Sequence, residues 1–147
     1  GDGLRPAQGA KREWHGMVAG QDVRGQLEQV LMVLNQQGGF TLSVLTDLQG
    51  FAIASSAAPG ERTEVQAAAV ALVQKTAAQA RDQLGMSSTD EISVFDQEGR
   101  RLVCRPFGAD DRRLILAVMV PHRHQRYRRL TNEALRTVRD ILRVLWE

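Results

Sequence analysis

Cysteine is nearly absent: the 147 residues hold one, Cys104, which excludes an intramolecular disulfide. No apolar run approaches the roughly 20 residues that a membrane-crossing helix needs. Nothing has the charged leader, apolar core and small-residue cleavage site of a secretory signal. A reducing, cytoplasmic compartment is what these absences predict. The pattern Gly-x-x-x-x-Gly-Lys-Ser/Thr does not occur, so the chain carries no P-loop for a nucleotide, and Ser55-Ser56 lacks the context of a nucleophile elbow. Metal ligands are equally scarce, because His122-x-His124 with a distant Cys104 makes a pair where three or four donors are needed. Cys104 falls in a strand pattern with no histidine close in sequence, which fits a small core residue and not a nucleophile. No catalytic residue, metal or cofactor is expected.

What is present describes an ordinary folded domain. An apolar fraction of 43% and a charged fraction of 24% fit a soluble globular protein, and the length suits one core better than two. The net charge of +2 conceals an asymmetry: residues 1–120 hold 12 Lys+Arg against 14 Asp+Glu, whereas residues 121–147 hold 7 Arg against 3 acids. The basic character is therefore local, which argues against a general nucleic-acid coat and for a patch that meets an acidic surface. Only Tyr127 and Trp146 offer stacking rings in that segment, a further point against nucleic acid.

Along the chain, residues 1–21 contain glycines and a proline without a sustained period and are expected to form a flexible leader, the folded domain occupying 22–147. From Asp22, a candidate cap, Val23, Leu27, Val30, Leu31 and Leu34 recur at helical spacing until Gly38-Gly39. Two apolar segments, 40–46 and 51–56, flank Asp47-Leu48-Gln49-Gly50 and predict a β-hairpin. Residues 63–84 lack any breaker and close at Gly85, a second helix. Strands are expected over 91–96, 100–107 and 112–120, with reversals at Asp96-Gln97-Glu98-Gly99 and Gly108-Ala109-Asp110-Asp111. The last of them is apolar without alternation from Leu114 to Val120, which places it centrally with both faces covered. A final helix after Pro121 carries Tyr127, Leu130, Ala134, Val138, Ile141 and Leu145 on one stripe.

Two helical surfaces stand out. The second helix has no charge between Val65 and Gln74; a wheel puts Val65, Ala69, Leu72, Val73, Thr76 and Ala80 toward the chain's own sheet. Ala67, Val70, Ala71, Gln74 and Ala78 are left as a small-residue face for a second copy. In the last helix Arg128, Arg129, Arg136, Arg139 and Arg143 share a sector about 100° wide opposite the apolar stripe. Glu133 and Asp140 adjoin it and could pair at helical spacing, which would make it a solvated face; read functionally it is a dock for an acidic partner. The run from Pro121 to Arg129 opens that helix, where the macrodipole disfavours cations.

The element order α-β-β-α-β-β-β-α, the stretch DLQGFAIASS (47–56), the turn DQEGRR (96–101) and the strand LILAVMV (114–120) together resemble the Roadblock (dynein light chain) family over about residues 22–145. The resemblance implies an α+β, profilin-like fold: a five-stranded antiparallel sheet with the second helix on one face and the first and last helices on the other. It also implies a non-enzymatic homodimer acting as a regulator or scaffold for a small Ras-like GTPase, as bacterial gliding-motility regulators of the family do. The resemblance further implies that Ile92 and Val94 join the dimer interface through edge-to-edge pairing of strand 91–96 with its copy. No small-molecule substrate, nucleic acid or membrane span is implied. The rival readings are a small-ligand sensor, since such a sheet can cup a metabolite, and a peripheral membrane or nucleic-acid module using the basic last helix.

Overall fold

The computed structural model describes residues 8–146, with side chains from Val23 to Val144. Its elements run α1 (Gln8–Gly38), β1 (Leu42–Asp47), β2 (Ala52–Ala57), α2 (Thr63–Leu84), β3 (Ile92–Phe95), β4 (Arg101–Ala109), β5 (Arg112–Val120) and α3 (Arg128–Trp146). The strands form one sheet in the order β2-β1-β5-β4-β3, with every neighbouring pair antiparallel. The unalternating strand β5 is the central one, as its pattern requires. Because β2 and β3 are opposite edges, α2, which joins them, crosses one face of the sheet from edge to edge.

One expectation fails at the N-terminus. The first helix begins not at Asp22 but at Gln8, and it covers residues 8–21 of the expected leader; residues 1–7 lie outside the described residues. The reason is that a glycine weakens a helix by only about 1 kcal/mol, while no proline interrupts the chain between Pro6 and Pro59. Asp22 therefore sits within a helix already under way.

The sheet separates two apolar layers. On one face Leu45, Val103, Phe107, Leu114, Leu116 and Val118 pack against Leu27, Leu31 and Leu34 of α1 and Leu135, Val138 and Leu142 of α3. A leucine taken fully out of water, as Leu27 and Leu31 are, contributes about 1.5–3 kcal/mol. Polar ties fix the same layer: Ser43 Oγ donates to the Leu31 carbonyl at 3.3 Å and Asn35 Nδ2 to that of Ser56 at 2.9 Å. The Gln125 amide donates to the carbonyls of Gly38 and Gly39, which clamps the segment before α3 to the end of α1. On the other face Val44, Cys104, Ile115 and Ala117 meet Ala67 and Val70 of α2.

The two Asp-x-x-Gly turns use one device. Asp47 Oδ1 accepts from the backbone N–H groups of Gln49 and Phe51, both at 2.9 Å. Asp96 Oδ1 accepts from those of Glu98 at 3.0 Å and Arg100 at 2.8 Å. Each turn then closes through a glycine in left-handed backbone, Gly50 at φ 92° and Gly99 at φ 88°, a conformation that side chains other than glycine's resist. At the end of α2, Gly85 (φ 69°) provides the same freedom, and the N–H of Met86 bonds the Arg81 carbonyl at 3.0 Å.

Candidate functional site

Cys104 is fully buried in β4, and burial pushes its thiol up to about 12, so it is no nucleophile near neutral pH. His122 and His124 are both exposed in the segment between β5 and α3. No group of three or more His, Cys, Asp or Glu that could hold a metal occurs among the described residues.

The two faces of α2 are exchanged relative to the wheel. Ala67, Val70 and Ala71, expected to face a second copy, are buried in the chain itself: Ala67 and Val70 belong to the core layer beneath the helix. Gln74 and Ala78 are half-buried, and Val73, the one residue of the expected sheet-facing stripe to do so, packs against that core layer. Val65 and Leu72, expected on the sheet, are 51% and 65% exposed, and Ala68, Ala69, Thr76 and Ala80 are exposed with them. The β1–β2 turn explains the inversion. A Cβ added to Gly50 would lie 3.2 Å from both the Ala68 Cα and the Ala71 Cβ, so the turn presses on the helix backbone where only alanines leave room. The outward surface is consequently an uncharged apolar stripe of Val65, Ala68, Ala69 and Leu72.

Edge strand β3 borders the same side of the sheet. Ile92 opposes Cys104 and Val94 opposes Leu102, which turns both toward the α2 layer; Ile92 packs against that core while Val94 remains 47% exposed. Of the interface residues expected from the sequence, Val94 is thus the one at the surface, and Ile92 supports it from within.

The arginine sector of α3 divides along its length. Arg128 is held by Asp90 at 2.9 Å and Glu91 at 2.5 Å, Arg129 by Glu133 at 3.0 Å and Arg143 by Asp140 at 3.3 Å. The Arg128 guanidinium, through its hydrogen bond, keeps the Asp90 carboxyl below the usual carboxylate range. Arg139 donates from Nε to the Gly108 carbonyl at 3.0 Å and lies 5.4 Å from the Phe107 ring centroid. Arg136 is exposed. All five arginines of the sector are exposed, and among the described residues no carboxylate pairs with Arg136 or Arg139.

Two side-chain groups invisible to periodicity surround the start of α3. Arg105 is only 7% exposed, on the α1–α3 face of the sheet, where one terminal nitrogen donates to Thr131 Oγ1 at 2.8 Å and to Asn132 Oδ1 at 2.6 Å. Nearby, Tyr127 donates its hydroxyl to Glu91, and desolvation first, then that carboxylate, raises its pKa. An open groove of about 540 Å³ lies along Gln125, Arg126, Tyr127, Arg128, Arg129 and Leu130. The sequence signal is the basic run from Pro121 to Arg129, expected to open the last helix; α3 begins only at Arg128, so residues 121–127 lead into the helix and do not form its first turn.

Neither a family model nor a curated protein matches the sequence. Solved structures do. The gliding protein MglB of Thermus thermophilus is similar with a TM-score of 0.67 at 16% identity, covering 81% of this chain and 90% of that one. An MglB with a tetrameric arrangement is similar with a TM-score of 0.68 at 17% identity, covering 81% and 89%. A Roadblock/LC7 domain from Streptomyces avermitilis is similar with a TM-score of 0.66 at 17% identity, covering 82% and 98%. With the antiparallel order β2-β1-β5-β4-β3, α2 on one face and α1 and α3 on the other, the chain has the Roadblock/LC7 fold in an MglB-like form.

Proposed function

We propose that this domain is a non-enzymatic dimeric regulator or scaffold that binds a small Ras-like GTPase. The observation that carries the dimer is the outward stripe Val65, Ala68, Ala69 and Leu72. It is an uncharged ridge of a helix whose opposite side already serves the core, and surface of that kind is kept for contact with another protein. Val94 on edge strand β3 extends the surface toward unpaired backbone groups that a second copy can pair. The reassigned interface is thus Val65, Ala68, Ala69 and Leu72 with Val94, in place of Ala67, Val70 and Ala71.

The GTPase half of the proposal rests on the family resemblance of the sequence and on the MglB-like fold, one MglB being described in a tetrameric arrangement. A partner with its own P-loop would supply the nucleotide that this chain has no motif to hold. Arg136 and Arg139 are the contact we assign to its acidic surface, because among the described residues they have no carboxylate partner, whereas Arg128, Arg129 and Arg143 do. The experiment is sedimentation of the purified protein at micromolar concentration, followed by titration with the Ras-like GTPases of its own organism loaded with GDP or a GTP analogue. A dimer that binds one of them, with a preference for one nucleotide state, is expected; a monomer removes the first half and binding to none removes the second.

A further inference from the structure

At the end of the sheet where β3 passes into β4, the aromatic and cationic side chains interleave. The Arg101 guanidinium lies 4.8 Å from the Phe95 ring centroid and 4.6 Å from that of Tyr127, and the Arg123 guanidinium lies 5.3 Å from that of Phe95. Phe95 and Arg101 are cross-strand partners, and Gly99 lets the β3–β4 turn approach Arg123 so closely that an added Cβ would sit 3.2 Å from the arginine Cβ. The backbone therefore imposes the cluster. Arg101 is fixed further by donating from its second terminal nitrogen to the Gln125 carbonyl at 3.2 Å, while its Nε is buried without an acceptor. Arg126, His122 and His124 are exposed in the adjoining segment.

We propose that this corner is a carboxylate-recognition site for an acidic segment of a partner protein. Among the described residues no carboxylate pairs with Arg101, Arg123 or Arg126, in contrast to Arg128, Arg129 and Arg143, each of which has one. Asp96, an acid of the adjoining turn, spends Oδ1 on two backbone N–H groups. Arg123, stacked on Phe95, and Arg126 are exposed and present their N–H groups to solvent, as carboxylate oxygens require, while Arg101, with its Nε buried and one terminal nitrogen on the Gln125 carbonyl, holds the Phe95 and Tyr127 rings beneath them. The stacking also disfavours nucleic acid, since the Phe95 and Tyr127 rings that bases would use already hold guanidinium groups. Arg101 begins β4 and Gly108, the anchor of Arg139, stands seven residues along it, about 23 Å away at strand rise. The corner is therefore distinct from the Arg136–Arg139 contact, and the inference does not rest on the GTPase proposal.

The test is fluorescence anisotropy of a labelled oligoglutamate peptide titrated with the full chain, with oligouridine and phosphatidylserine vesicles as parallel probes. Salt-sensitive binding of the peptide is expected, weakened about tenfold in Arg123→Gln/Arg126→Gln and changed less than about twofold in Arg136→Gln/Arg139→Gln. Both pairs are at the surface, so circular dichroism should find every variant folded; Arg101→Gln is a third arm expected to lose binding in the same way. Absence of peptide binding, equal loss in the two double variants, or tighter capture of oligouridine or vesicles would each overturn the proposal.

Discussion

A single guanidinium shows how the buried polar chemistry of this fold is balanced. Arg105 is held between sheet and α3 by Thr131 and Asn132, and desolvation lowers its pKa, so its charge is tolerated because those oxygens accept from it. Asn132→Leu removes one acceptor from a charge that stays buried, and a loss of roughly 1.5–3 kcal/mol in urea unfolding is expected. Arg105→Met removes the charge as well and should be markedly less destabilising than that, since an apolar side chain of similar length leaves nothing unsatisfied. If the methionine variant were the worse of the two, the hydrogen bonds would not be what offsets the burial. Cys104 makes the opposite case, a group kept neutral. Its folded pKa of about 12 stands above the ordinary thiol value of 9.0, so above pH 9 the unfolded chain releases a proton that the folded one keeps. The stability this contributes is complete below pH 9 and lost as pH rises toward 12. Cys104→Ala should flatten the alkaline limb of the stability–pH curve while costing roughly 1 kcal/mol at neutral pH. In the native protein a thiol reagent should label Cys104 only after urea is added; rapid labelling at pH 7 would contradict its burial.

At the scale of elements, α2 separates what patterning reveals from what it hides. Its span, its lack of charge and its glycine stop are all legible, and Thr63–Leu84 with Gly85 is where they put it. Its facing is not legible, because both sides are apolar and hydrophobicity alone cannot choose between them. The choice is made by the β1–β2 turn, a long-range contact in which Gly50 meets Ala68 and Ala71 and small residues are needed against the core. The same limit explains the cluster at Arg101: Phe95, Arg101, Arg123 and Tyr127 share no sequence period and meet through strand register and turn closure. Strand order was more accessible, since the unalternating run from Leu114 to Val120 needs cover on both faces and therefore the central place. The inversion of α2 is open to a direct comparison. Ala71→Arg forces a charge into space 9% exposed and should unfold the domain or cost it several kcal/mol. Leu72→Glu, at a site 65% exposed, should leave the melting temperature of the protomer nearly unchanged while shifting sedimentation from dimer to monomer. The reverse pattern would restore the orientation read from the wheel.

For the whole molecule the distribution of charge matters more than its total. The last 27 residues carry four more cations than acids, on a body that is net negative over residues 1–120, and no helix among the described residues is long and apolar enough to cross a membrane. Folding divides the basic segment's arginines between those bound to acids just before β3 and on α3 and those left, among the described residues, without such a pair. A free cation near an acidic partner accelerates encounter and makes it salt-sensitive, whereas a cation already paired contributes little to either. Arg136→Gln/Arg139→Gln should therefore slow association with the proposed GTPase partner and flatten the dependence of its on-rate on ionic strength, with dissociation much less affected. Arg129→Gln/Arg143→Gln removes the same formal charge from the same helix but from arginines already paired with Glu133 and Asp140, and should slow association less. Exposed pairs of this kind contribute about 1 kcal/mol or less to stability, so both variants should remain folded and dimeric. Stopped-flow association at a series of salt concentrations measures the difference. Identical salt slopes for the wild type and Arg136→Gln/Arg139→Gln would exclude that surface as the contact, and the same measurement on Arg123→Gln/Arg126→Gln would then test whether the proposed carboxylate corner steers an acidic partner instead.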